Sequence, residues 1–236
     1  METSKFIPKA KLVDRDQFLM DCARGKSVLH IGMGGCIDDD AVTSRYLAGD
    51  LGTPFHKKLS TVAKSLDGAD INPRTVEAME QVVPGRYVVC DLTSADFASH
   101  FGDRKYQVVM FSDVIEHLDN FRTALQNLRR VMTDDGILVV STSNAYSVDA
   151  ILKMMVRYES VNAEHTVYFS YLTLRRLFEM NQMKMIDFKF WTVKRIEVFS
   201  SLTFWISYRL SSLLVWLLPQ YAMGIVAVVR PAAAMH

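Results

Sequence analysis

Short apolar runs that each stop at a glycine, an acid or a serine recur along this chain, and stretches of helical periodicity separate them. "SVLHI" runs into Gly32, "SLDGAD" stops at Asp70, "RYVVCD" at Asp91 and "YQVVMFS" at Ser112; "GILVVSTSN" follows a Gly turn. Such runs fit strands buried on both faces of a parallel sheet. Between them, Phe55, Leu59, Val62 and Ala63 mark one helix over Phe55–Lys64, Pro73 opens a second, and Leu125, Leu128 and Met132 mark a third over Phe121–Met132. "YLTLRRLFEMN" is a further amphipathic helix. This alternation predicts an α/β, doubly wound, mostly parallel sheet of seven strands. The last two, "MKMIDFKFWTV" and "YAMGIVAVVR", have no ordinary amphipathic helix between them and are expected to form an antiparallel edge pair.

A length of 236 residues suits one α/β domain over 1–236, and the 50% hydrophobic content excludes a disordered chain. The 27 basic and 26 acidic residues leave a net charge of +1, so nothing calls for a nucleic-acid partner. Cys22, Cys36 and Cys90 lack paired or metal-like spacing, and the N-terminal stretch has no apolar core of a secretory signal. Both point to a reduced, cytoplasmic setting.

In an open α/β sheet, ligands bind beyond the carboxyl ends of the strands. Gly32, Gly34 and Gly35 allow a sharp turn and close approach of a ligand to main chain, although G-x-G-G is also an ordinary tight turn. Asp70 suits two ribose hydroxyls, or equally a helix cap or Asx turn before Pro73. It lies 38 positions after Gly32 (70 minus 32), beyond the roughly 20 of a dinucleotide fingerprint. Asp91 suits an adenine amino group or a loop cap.

The ordered set "SVLHIGMGG", "LDGADINP", "YVVCDLTS", "YQVVMFSDVIEHLDN" and "LRRVMTDDGILVVSTSN" resembles the class I S-adenosylmethionine-dependent methyltransferases. "DVIEHLDN", "GILVVSTSN" and "EHTVYFSYLTLRRLFE" are similar to the branch with quinone-biosynthesis and sugar or small-molecule O- and N-methyltransferases. The resemblance implies a Rossmann-like methyltransferase fold and S-adenosylmethionine as cofactor. It sets Gly32, Gly34 and Gly35 against the methionine end, Asp70 with Ile71 at the ribose, Asp91 with Leu92 around adenine, and Ser112 with Asp113 near the methionine portion. One departure concerns His30, at a cofactor-binding position where the family commonly has an acid; a neutral imidazole cannot supply that charge. Asp38, Asp39 and Asp40 offer partial replacement or a solvated turn.

The implied reaction is methyl transfer to a small acceptor, with oxygen preferred and a sugar or glycan precursor favoured by the extended loop after Gly35. A hydroxyl acceptor gains from a base. His117 and His165 are the catalytic candidates, with Glu116 and Asp113 also weighed; Asn144, Tyr146 and Tyr168 are candidates for binding the acceptor. Each has a plain structural alternative as a helix-start, loop, turn or core residue. The histidines show no ligand spacing, so no metal is expected. A quinone or other lipophilic acceptor at a membrane, a nicotinamide-dependent oxidoreductase and an inactive scaffold are the alternatives.

The stretch Val198–Pro219 is apolar and long enough to suggest a membrane span, yet Arg209 interrupts it and the final strand pair brackets it. A helical insert that packs in the core, in a homodimer or against a membrane surface is expected instead.

Overall fold

The computed structural model describes residues 6–34, 53–159, 161–192 and 202–232, with the side chains of 202–208 outside that set. The described strands are β1 (Leu12–Val13), β2 (Ser27–Ile31), β3 (Ser65–Asp70), β4 (Tyr87–Val89), β5 (Tyr106–Ser112), β6 (Met132–Ser143), β7 (Met183–Trp191) and β8 (Gly224–Pro231). They form one eight-stranded sheet in the order β1-β7-β8-β6-β5-β2-β3-β4. Its helices are α1 (Arg15–Ala23), α2 (Phe55–Ser60), α3 (Pro73–Val82), α4 (Phe121–Arg130), α5 (Val148–Met155), α6 (Tyr171–Met180) and α7 (Leu202–Leu217).

The helix starts follow from local chemistry. Free N–H groups of a first turn need acceptors, and Asp14, Asn72, Asn120 and Ser147 supply them to α1, α3, α4 and α5. A reciprocal Ser170–Thr173 pair opens α6. The expected helix over Phe55–Lys64 ends at Ser60, because the chain after it returns to the sheet. There Gly25 N–H donates to the Val62 carbonyl at 2.8 Å and Lys64 N–H to Lys26 at 2.8 Å. The helix expected to reach Met132 ends at Arg130, since the Val131 carbonyl accepts from Tyr106 N–H and Met132 already pairs with Tyr106.

Side chains alternate across each strand. Val28, Val108, Met110 and Val139 pack on one face under α1 and α2, while Leu29, Ile31, Phe111 and Val140 pack on the other. β8 is buried on both faces from Gly224 to Val229, which is why it reads as a continuous apolar run. It is antiparallel to both β7 and β6, and α7 lies in the β7-to-β8 connection. The expected antiparallel pair is therefore present, but the sheet has eight strands where seven were expected. The extra strand, β1, pairs in parallel with Phe190 and Trp191 outside β7.

α7 has Val215 buried, while Leu210, Leu213, Trp216 and Leu217 are exposed. Among the described residues no helix is long and apolar enough to cross a membrane.

Candidate active site

A cleft of about 860 Å³ opens where β2, β3, β4 and β5 end. Its first wall is the turn after β2. Gly32 has φ of 69°, a left-handed conformation, and a β-carbon there would lie 2.1 Å from Val114 Cγ2. Only glycine allows that turn to close on the segment after β5. Gly34 N–H donates to Asp70 Oδ2 at 3.4 Å, and Asn72 N–H donates to Asp70 Oδ1 at 3.0 Å. Asp70 thus sits in an Asx turn, while Asn72 is the helix cap. Burial raises the Asp70 carboxyl above its ordinary range, against the pull of these backbone N–H groups.

The cleft also gathers His30, Ile71, Asp91, Leu92, Ser112 and Asp113. Ile71 is 69% exposed, an apolar side chain laid against open space. Asp91 accepts from Thr93 N–H at 2.7 Å and from its hydroxyl at 2.8 Å. Ser112 Oγ is buried with no hydrogen-bond partner. Gly35 lies outside the described residues.

Asp113 has φ of 53°, unusual for a residue with a side chain. It is held by an ion pair with Arg15 and by the Ser141 hydroxyl, which donates to Asp113 Oδ1 at 2.8 Å. Arg15 Nη2 also donates to Ser141 Oγ at 3.2 Å, and its guanidinium lies over the rings of Phe55 and Trp191. Arg15 lines the cleft, but no sequence motif marks it.

At another part of the wall, Thr166 fastens the 161–168 loop to the turn Ile115–His117. Its N–H donates to the Glu116 carbonyl at 2.8 Å, and its hydroxyl shares one proton between the Leu118 and Glu116 carbonyls, at 2.6 and 3.0 Å. This fastening sets His165 edge-on to His117, with ring centroids 4.6 Å apart. Burial first, and then neighbouring His117, lower the His165 pKa, so its imidazole is neutral near pH 7. Its Nδ1 has no partner. Glu164 Oε2 stands 3.8 Å from His117 Nδ1. The Glu116 carboxyl is buried. Its Oε1 accepts from Ser143 N–H at 3.3 Å, its Oε2 has no partner, and burial followed by the charge of Asp113 pushes its pKa up to about 7.

Three acceptor candidates do not line the cleft: Asn144, Tyr146 and Tyr168. The Asn144 amide instead donates to the Gln220 and Ala222 carbonyls at 2.9 and 2.8 Å, tying the end of β6 to the turn that leads into β8. Tyr146 is exposed, and Tyr168 backs His165 with ring centroids 5.5 Å apart. Among the described residues, no three of the His, Cys, Asp and Glu side chains group as a metal site would require.

A family model described as a methyltransferase domain matches residues 13–187. The chain belongs to that methyltransferase family. It is a class I S-adenosylmethionine-dependent enzyme, and S-adenosylmethionine is its cofactor. The matched span includes every cleft element except Trp191 and stops before α7 and β8. No curated protein matches the methyltransferase. Solved structures share its fold at low identity. A SAM-dependent methyltransferase from Archaeoglobus fulgidus is 16% identical with a TM-score of 0.57, covering 91% of this chain and 90% of its own. The N-methyltransferase NodS from Bradyrhizobium japonicum WM9, in complex with S-adenosylhomocysteine, is 13% identical with a TM-score of 0.54, covering 93% and 86%. Magnesium protoporphyrin IX methyltransferase from Synechocystis PCC 6803 is 14% identical with a TM-score of 0.54, covering 92% and 83%.

Proposed function

We propose that this methyltransferase methylates a hydroxyl of a small polar acceptor, a sugar or glycan precursor. The observation that carries the reading is the His117–His165 pair, set in the same cleft as Asp70. The residues fit the cofactor. Asp70, with Ile71 beside it, would accept from the ribose hydroxyls, Leu92 with Asp91 would frame the adenine, and main chain at Gly32 and Gly34 with Ser112 would meet the methionine end. The unpartnered Ser112 Oγ and His30 Nε2 are buried polar atoms of the cleft wall that a ligand satisfies.

When bound, S-adenosylmethionine supplies a methyl group on a positively charged sulfur, already activated for displacement. The chain's task is then to align the acceptor oxygen with that methyl, and such orientation is worth about 7–11 kcal/mol of barrier. His165 takes the hydroxyl proton, which its neutral imidazole can accept, for roughly 10²–10⁴-fold in rate. His117 packs against it and fixes the ring. Asn162, Glu164 and Glu116 offer a polar wall suited to an acceptor with several hydroxyls.

The test is methyl transfer from S-adenosylmethionine to a panel of nucleotide sugars and of quinols, with His165→Ala alongside. Sugar methylation lost ~10²-fold or more in the variant is expected; quinol turnover alone, or an unaffected variant, contradicts the reading.

A second reading has one observation in its favour. α5 and α7 touch, and together they expose Leu152, Met155, Val156, Leu213, Trp216 and Leu217. An apolar surface of this kind suits membrane contact or a second subunit, and hence a lipophilic acceptor. Flotation with liposomes of the full-length protein and of Trp216→Ser tests it. Binding that the variant weakens supports it, and equal non-binding removes it.

A further inference from the structure

His30 stands where the family commonly has an acid, and a chain of hydrogen bonds determines which of its nitrogens bears a proton. The Tyr87 hydroxyl donates its single proton to the Val83 carbonyl at 2.8 Å, since a carbonyl can only accept. Toward His56 Nε2, 3.0 Å away, the same oxygen must therefore accept. His56 thus carries its proton on Nε2. His56 is fully buried, and burial lowers its pKa to about 4, so it is neutral and its Nδ1 is bare. His30 Nδ1 lies 3.1 Å from that bare Nδ1, and two bare nitrogens would leave the contact without a proton. His30 must donate there. The His30 ring is 2% exposed, stacks nearly parallel to His56 at 5.3 Å, and is neutral because burial first, then His56 and Arg15, hold its pKa well below the ordinary value. Its own Nε2 is then left as a lone-pair acceptor, buried, without a partner, on a residue that lines the cleft.

The surrounding wall is chemically consistent. Ser112 Oγ is also buried without a partner, and Arg15 lines the same cleft, with its guanidinium 5.7 Å from the Phe55 ring that packs edge-on to His30. One bare acceptor and a hydroxyl suit an ammonium, and a guanidinium suits a carboxylate. The wall is thus complementary to the zwitterionic amino-acid end of a ligand.

Resting on the cofactor reading of this cleft, we propose that Tyr87 and His56 are positioning residues that lock His30 with a bare Nε2, so that a neutral histidine accepts from the ammonium group of the cofactor's methionine end. This relay replaces the missing acid by direction where it cannot do so by charge.

The test is nitrogen NMR of imidazole-labelled wild-type protein, free and with S-adenosylhomocysteine. In the free protein, His30 should carry its proton on Nδ1 and His56 on Nε2. Addition of S-adenosylhomocysteine should shift His30 Nε2 as it takes up a hydrogen bond. Tyr87→Phe, which unlocks the relay, should weaken S-adenosylhomocysteine binding by ~10-fold, the scale of one hydrogen bond. It should leave 5′-methylthioadenosine, which lacks the amino-acid end, unchanged. His30 protonated at Nε2 overturns the proposal. An unmoved Nε2 in protein that thermal shift shows to be loaded overturns it too, as does equal weakening of both ligands by Tyr87→Phe. If S-adenosylhomocysteine does not bind at all, the cofactor reading of the cleft falls and the relay's purpose with it.

Discussion

Glu116 makes the stability of the ligand-free protein depend on pH in a direction that can be worked out. Its carboxyl is buried, and its pKa rises from the ordinary 4.5 to about 7. A raised folded-state value means that the folded protein binds the proton more tightly than the unfolded chain does. The contribution is fully present below about 4.5, is lost as pH climbs from there to 7, and changes little above that. The full span is worth roughly 3 kcal/mol, and most of it, about 2–3 kcal/mol, falls between pH 5 and 8. Glu116→Gln keeps the volume and an acceptor for Ser143 N–H but cannot ionise. Relative to wild type, the variant should therefore gain about 2–3 kcal/mol in stability between pH 5 and pH 8. For a domain of this size that is about 5–10 °C in melting temperature. Subtracting the two melting curves at each pH cancels the contributions of the other groups. A difference that stays flat from pH 5 to 8 would refute a buried carboxyl with a raised pKa at this position.

Gly32→Ala should cost ~2 kcal/mol or more, from a left-handed φ and a β-carbon 2.1 Å from Val114, read as a lower denaturation midpoint. The acid limb of kcat should fall below pH 6.5, because the lowered pKa of His165 keeps it an unprotonated base to lower pH, and His165→Ala should abolish that limb in a pH–rate profile. Asp70→Ala should strip the protein of cofactor retained on purification, as read by mass spectrometry; unchanged retention contradicts the ribose assignment.

The fold was legible because its central strands are buried on both faces and end in residues that cannot continue them. Gly32, Asp70, Asp91 and Ser112 mark four ends along the chain, and all four line one cleft. Pro73 marked the start of α3 for the same local reason, whereas the cap weighed at Asp70 falls to Asn72. β1 was not legible: two residues, Leu12 and Val13, gain their strand character from pairing with Phe190 and Trp191, far along the chain. Arg15 escaped for a similar cause, since its partners Asp113 and Ser141 are 98 and 126 positions away. Asn144 was read as an acceptor ligand from its place after a strand, but its amide goes to the turn just before β8, through contacts 76 and 78 positions away. The role of His30 needed both His56 and Tyr87, which no spacing rule joins to it. Residues that act through backbone conformation could be read from the sequence, and those that act through distant side-chain partners could not.

The most direct measurement is a crystal structure of the protein with S-adenosylhomocysteine. The account predicts ligand density at the carboxyl ends of β2, β3 and β5, with the ribose on the Asp70 carboxylate and the amino-acid end against His30 and Ser112. An empty cleft in crystals of protein shown to bind that compound, or the ligand seated elsewhere on the chain, would contradict it.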